Sequence, residues 1–156
     1  MEDDEMAGLF RAASQPVPDS KAGDERVASC AASASHFLAV CTFNGYGVEA
    51  DAAKAVSMWE ELSTKDQLAM AQHELGVRYR EGGGAIAQDH GKALTYFQQA
   101  AGRGHPEALC DVAHYQHVGV AGVVAKDEAL AVSNWKQAAE QGIVAARQKL
   151  EELGIK

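Results

Sequence analysis

No stretch of this 156-residue chain approaches the roughly 18 uncharged apolar residues that a helix needs to cross a bilayer. The opening residues, MEDDEM, lack the apolar core of a secretory signal and the Arg-rich amphipathic character of an organelle presequence, so a cytoplasmic address is expected. Positive charge is scarce. There are 14 Lys and Arg against 22 Asp and Glu, a formal charge of −8, whereas binding to a nucleic-acid backbone depends on clustered bases. Cys30, Cys41 and Cys110 are odd in number and share no spacing, which argues against a disulfide framework. The run Gly82, Gly83, Gly84 is not followed by the Lys and Ser or Thr of a phosphate-binding loop. Ser35 and His36 adjoin on a helical segment, where neighbours do not face each other, so they suggest no nucleophilic triad. A non-enzymatic chain is expected, with no catalytic residue and no cofactor to assign.

What the chain has is repetition. Residues 51–63 read DAAKAVSMWEELS, residues 89–101 DHGKALTYFQQAA and residues 127–139 DEALAVSNWKQAA. In each, an Asp is followed by Ala four residues later, an aromatic after eight and a small or aliphatic residue after eleven. Upstream, Ala34, Ala71 and Ala108 precede Leu38, Leu75 and Val112 by four. A period of 37 to 38 residues marks stacked supersecondary units, each a pair of segments.

Both segments of each unit have helical periodicity, as in Ala71, Leu75 and Tyr79 or Ala93, Tyr96, Phe97 and Ala100. Asp51, Asp89 and Asp127 stand where a short carboxylate can accept from the orphan amides of a first helical turn. Gly45, Gly47, Gly82, Gly83, Gly84, Gly119 and Gly122 punctuate the turns between segments, and Gly104 and Gly142 end the second helices. Helices are predicted near 26–44, 51–63, 68–81, 89–102, 106–118, 127–141 and 144–153, making the protein all-α.

The second unit, AQHELGVRYREGGGAIAQDHGKALTYFQQAAGRGHPEA, resembles the SEL-one-like repeat, a relative of the tetratricopeptide repeat. Ala71, Leu75, Gly76, Tyr79, Gly82, Gly84, Asp89, Lys92, Ala93, Tyr96, Phe97, Ala100, Ala101 and Gly104 match that family's pattern, with one extra loop residue. The outer units depart from it: Ala39 and Thr42 replace the Gly and Tyr in the first, and Val112, Ala113 and Gln116 replace Leu, Gly and Tyr in the third. The resemblance implies a right-handed α/α superhelical solenoid of helix-turn-helix repeats acting as a protein interaction module. The expected organisation is an acidic leader over residues 1–25, partly disordered or a short helix. Residues 26–154 would then hold three repeats, about 33–67, 68–105 and 106–143, and a C-terminal capping helix.

One hairpin cannot bury its apolar stripe alone, so stacked hairpins share a core. Trp59, Phe97 and Trp135 are expected in it, each one turn after a small Ala at 55, 93 or 131 that lets the helices approach. By the resemblance, first helices line a concave groove. In register with Leu38, Leu75 and Val112, the groove candidates are Phe43, Asn44, Met70, His73, Val77, Arg80, Glu81, Glu107, His114 and His117, with Phe43 as an exposed aromatic. Such a mixture suits a peptide or helix of a partner protein, with the chain as an adaptor or small scaffold subunit of a larger complex. The alternative is a metal- or small-ligand-binding protein using Cys110, His114, His117 and His73. Against it, ligands at i and i+7 lie about 10 Å apart along a helix axis. The apolar loop over residues 118–127 is expected to fold back, with Val123 or Val124 plugging its hairpin.

Overall fold

The computed structural model describes residues 25–155, and residues 1–24 of the expected leader lie outside them, as does Lys156. Among the described residues there are seven helices and no strand: α1 (Glu25–Asn44), α2 (Ala52–Thr64), α3 (Ala69–Glu81), α4 (His90–Gly102), α5 (Pro106–Val118), α6 (Glu128–Glu140) and α7 (Val144–Glu152). Each helix packs chiefly on its neighbours in sequence, the contact pattern of an α/α solenoid. Three hairpins stack in a row, and α7 closes the series.

Local chemistry accounts for each hairpin. Backbone amides of Lys54, Lys92 and Leu130 donate to Oδ1 of Asp51, Asp89 and Asp127, each at 2.9 Å. The amides of those aspartates reach back to the carbonyls of Thr42, Tyr79 and Gln116 at 2.8, 2.8 and 2.7 Å. The Asp thus starts the second helix with its side chain and ties it to the first with its backbone. This tie spans a loop that lengthens by one residue from each repeat to the next, so the second helices keep their place while the sequence register drifts. Gly82 illustrates the turn. Its φ is +70°, and a Cβ there would meet the Gln88 backbone nitrogen at 2.9 Å, so only glycine passes.

The core is a row of three clusters centred on Trp59, Phe97 and Trp135, which are 0%, 0% and 1% exposed. Ala55, Ala93 and Ala131 are fully buried beside them and let the helices approach. Gly76 does the same on α3, where a Cβ would lie 2.7 Å from the Phe97 ring. The loop over residues 118–127 folds back as expected: Val120 and Val124 pair as an isolated bridge and pack on the second cluster, while Val123 is exposed.

The degenerate third repeat keeps its stacking by exchanging one pair of residues. Tyr79 stacks on Tyr96 at 5.6 Å between ring centroids in the second repeat. At the same two positions in the third, Asn134 Nδ2 donates to the buried Gln116 Oε1 at 2.7 Å. An aromatic contact has been replaced by a satisfied polar one, which removes the cost of burying the Gln alone.

Candidate functional site

The candidate residues lie on the first helices α1, α3 and α5. Two columns of side chains, two helical turns apart, recur in register: His36, His73, Cys110 and Phe43, Arg80, His117. Each pair flanks the core aromatic of its own repeat. His36 and Phe43 have ring centroids 6.4 and 5.7 Å from that of Trp59. His73 is 5.5 Å from Phe97, and the Arg80 guanidinium lies 5.3 Å from the centroid of the same ring. Cys110 packs against the Trp135 cluster, while His117 lies 5.2 Å from the Trp135 ring. These positions therefore form a lid over the core on the first-helix face.

Across repeats, the wall is joined by charge. Asp111 on α5 accepts from Nε2 of His73 at 2.9 Å and pairs with Arg80, so one carboxylate ties α5 to two turns of α3. Burial would by itself raise the Asp111 carboxyl, but the hydrogen bond from His73 and the Arg80 charge outweigh it and hold Asp111 below the ordinary carboxylate range. Between the first two repeats, Arg78 pairs with Glu74 and covers Phe43 at 4.3 Å from the ring centroid. Phe43 is consequently half-buried under a guanidinium, a correction to its expected exposure. Sequence reasoning missed Asp111, Glu74 and Arg78. The Glu74/Arg78 spacing of four was a legible signal; Asp111 lay one column from the positions read as groove, and only the stacking of α5 on α3 brings it to Arg80.

The remaining candidates divide by exposure. Asn44, Glu81, Glu107 and His114 are exposed, and Met70 and Val77 are half-buried. The Asn44 amide donates to the Val40 carbonyl at 2.8 Å. Beside His114 lies a shallow hollow of about 280 Å³ lined by Arg80, His90, His114, Tyr115, Val118 and Val120, at whose rim Val118 is 58% exposed. His90 Nδ1 and the Tyr115 hydroxyl are 2.8 Å apart on its wall.

Burial lowers the imidazoles of His36, His105 and His114 below their ordinary value, assisted by His105 and His73 at His36, by His73 at His105 and by Arg80 at His114. Burial also raises the Cys110 thiol, assisted by Asp111. The metal alternative gains nothing from this geometry. His73 is held by Asp111, Cys110 packs against the Trp135 cluster, His117 lies against Trp135, and His114 is exposed. Among the described residues no three His, Cys, Asp or Glu side chains are grouped to hold an ion.

Three stacked helical hairpins, a closing helix and a wall of mixed side chains on the first helices define a tetratricopeptide-like solenoid. Within that class the chain belongs to the Sel1 repeat family, which it matches over residues 32–66, 69–105 and 106–143. Sel1 repeats generally serve as protein interaction modules. The fold is similar to that of a Sel1 repeat protein from Oxalobacter formigenes, with 25% identity, a TM-score of 0.69, and 95% of this chain and 96% of that one covered. It is also similar to a protective antigen of uropathogenic Escherichia coli strains that displays an SLR fold: 24% identity, TM-score 0.70, 97% of this chain and 32% of the antigen. Among curated proteins none matches.

Proposed function

We propose that this chain is a non-enzymatic adaptor or small scaffold subunit of a larger complex, acting in the cytoplasm and receiving a peptide or helix of a partner protein on its inner wall. The observation that carries this reading is the division of labour along the wall. His73, Arg80 and Asp111 hold one another and make a rigid floor, while Asn44, Glu81, Glu107 and His114 stay exposed above it. The His73, Arg80 and Asp111 cluster is already paired and loses little on being covered, and the exposed groups supply selectivity. Met70 and Val77 add apolar area. The hollow beside His114 and Val118 has the size of one side-chain anchor.

The test is affinity capture from native extract with the intact chain and with a His114→Glu, Val118→Glu variant. Both positions are exposed, so the variant should keep the wild-type melting temperature. Stoichiometric partners that disappear with the variant support the inner wall as the contact. Partners retained undiminished would move the contact to another surface and reject this reading.

A further inference from the structure

Three first helices follow an earlier repeat, and their starting residues share one backbone conformation. Leu68 before α3 has φ −70° and ψ 114°, His105 before α5 has φ −79° and ψ 109°, and Ile143 before α7 has φ −73° and ψ 108°. Leu68 and Ile143 pack on the core and make no side-chain cap. His105 does make one: its Nδ1 accepts from the Ala108 backbone amide at 3.4 Å. The fold does not require a histidine here, since two of the three equivalent positions manage with an aliphatic residue.

The same Nδ1 lies 3.3 Å from Glu107 Oε2. One nitrogen therefore faces a donor and an acceptor, and its protonation state decides which it engages. The neutral ring, with its proton on Nε2, accepts from Ala108. A ring that has taken a proton from solvent carries N–H on Nδ1 and donates to Glu107 instead.

We propose that His105 is a proton-operated latch on the joint between repeats two and three, capping α5 when neutral and releasing its first turn when protonated. The imidazolium formed would stand at the positive end of the α5 dipole. It would also lie parallel to His73, at 4.6 Å between centroids and 17° between planes, and His73 is the ring that holds Asp111. Release of α5 therefore loads the contact that joins the two first helices.

The groups around the latch set its direction. From α3, His73 opposes a further positive charge, with Arg80 behind Asp111; from α1, His36 is near enough for a charge on His105 to lower it. From α5 itself, Glu107 and Asp111 favour the proton. The α4 helix contributes the uncharged Phe97 ring beneath His73, and the turn before His105 carries the exposed Arg103. Burial and His73 prevail, so the release lies on the acid side of the ordinary imidazole value of 6.5.

The latch belongs to the chain by itself and holds with or without a partner on the wall. It is tested by amide exchange of the full chain, read by NMR at Ala108 at about pH 7.5 and about pH 5, each rate divided by its intrinsic value. Wild type is compared with His105→Asn, which caps without titrating, and His105→Leu, which copies Leu68 and Ile143. Expected is a fall of Ala108 protection by about tenfold in wild type on acidification, steady protection in His105→Asn and low protection at both pH values in His105→Leu. Unchanged wild-type protection, or an equal fall in His105→Asn, would overturn the proposal.

Discussion

His73 Nε2 lies 2.9 Å from Asp111 Oδ2, joining residues 38 positions apart on the first helices of adjacent repeats. Arg80 occupies the other oxygen of the same carboxylate. The joint between repeats two and three thus rests on a shared acid as well as on apolar burial.

Asp111→Asn should destabilise the chain by about 1–3 kcal/mol, because it leaves a partly buried Arg80 without its counter-charge. Urea unfolding of this variant, of Arg80→Gln and of the double variant measures the coupling. Additive losses would show that the pair contributes nothing beyond its separate parts.

Gly76→Ala should cost about 1–3 kcal/mol by overpacking, since the added methyl would sit 2.7 Å from Phe97. Gly102→Ala, at the end of α4 with nothing within 4 Å of its would-be Cβ, should be neutral or stabilising by up to about 1 kcal/mol. Melting temperatures of the two variants should move in opposite directions or differ clearly in size.

Trp135→Ala should cost about 3–5 kcal/mol, because the ring is buried between Ala131, Ala138, Cys110 and His117 and its loss leaves a cavity. Denaturant midpoints measure the loss, and hydrogen exchange should place it first in α5, α6 and α7.

Stability should decline on mild acidification. His36, His105 and His114 have folded-state values below 6.5, so the unfolded chain binds more protons as pH falls past that value. Their contribution is complete above about 6.5 and is lost as pH drops through the lowered folded values. Asp111 acts lower on the scale. Its folded value lies below 3.8, so its contribution is present above 3.8 and lost as pH falls through the lowered value. Urea midpoints across this range should decrease in two stages, and a flat profile from neutral to about pH 5 would contradict the histidine assignment.

The sequence alone determined the repeat, the helices and the core. Asp51, Asp89 and Asp127 cap their helices by contacts three residues away, the turn glycines act through their own backbone angles, and Trp59, Phe97 and Trp135 recur because every hairpin buries the same face. These are local or periodic constraints, so they leave a mark at fixed spacing. The tertiary structure alone decided which wall residues are spoken for. Asp111 meets His73 and Arg80, Arg78 covers Phe43, and His105 stacks on His73 only because successive first helices are set side by side by the stacking of whole hairpins. Such contacts join different repeats through side chains of different length and charge, and no period in the chain records them.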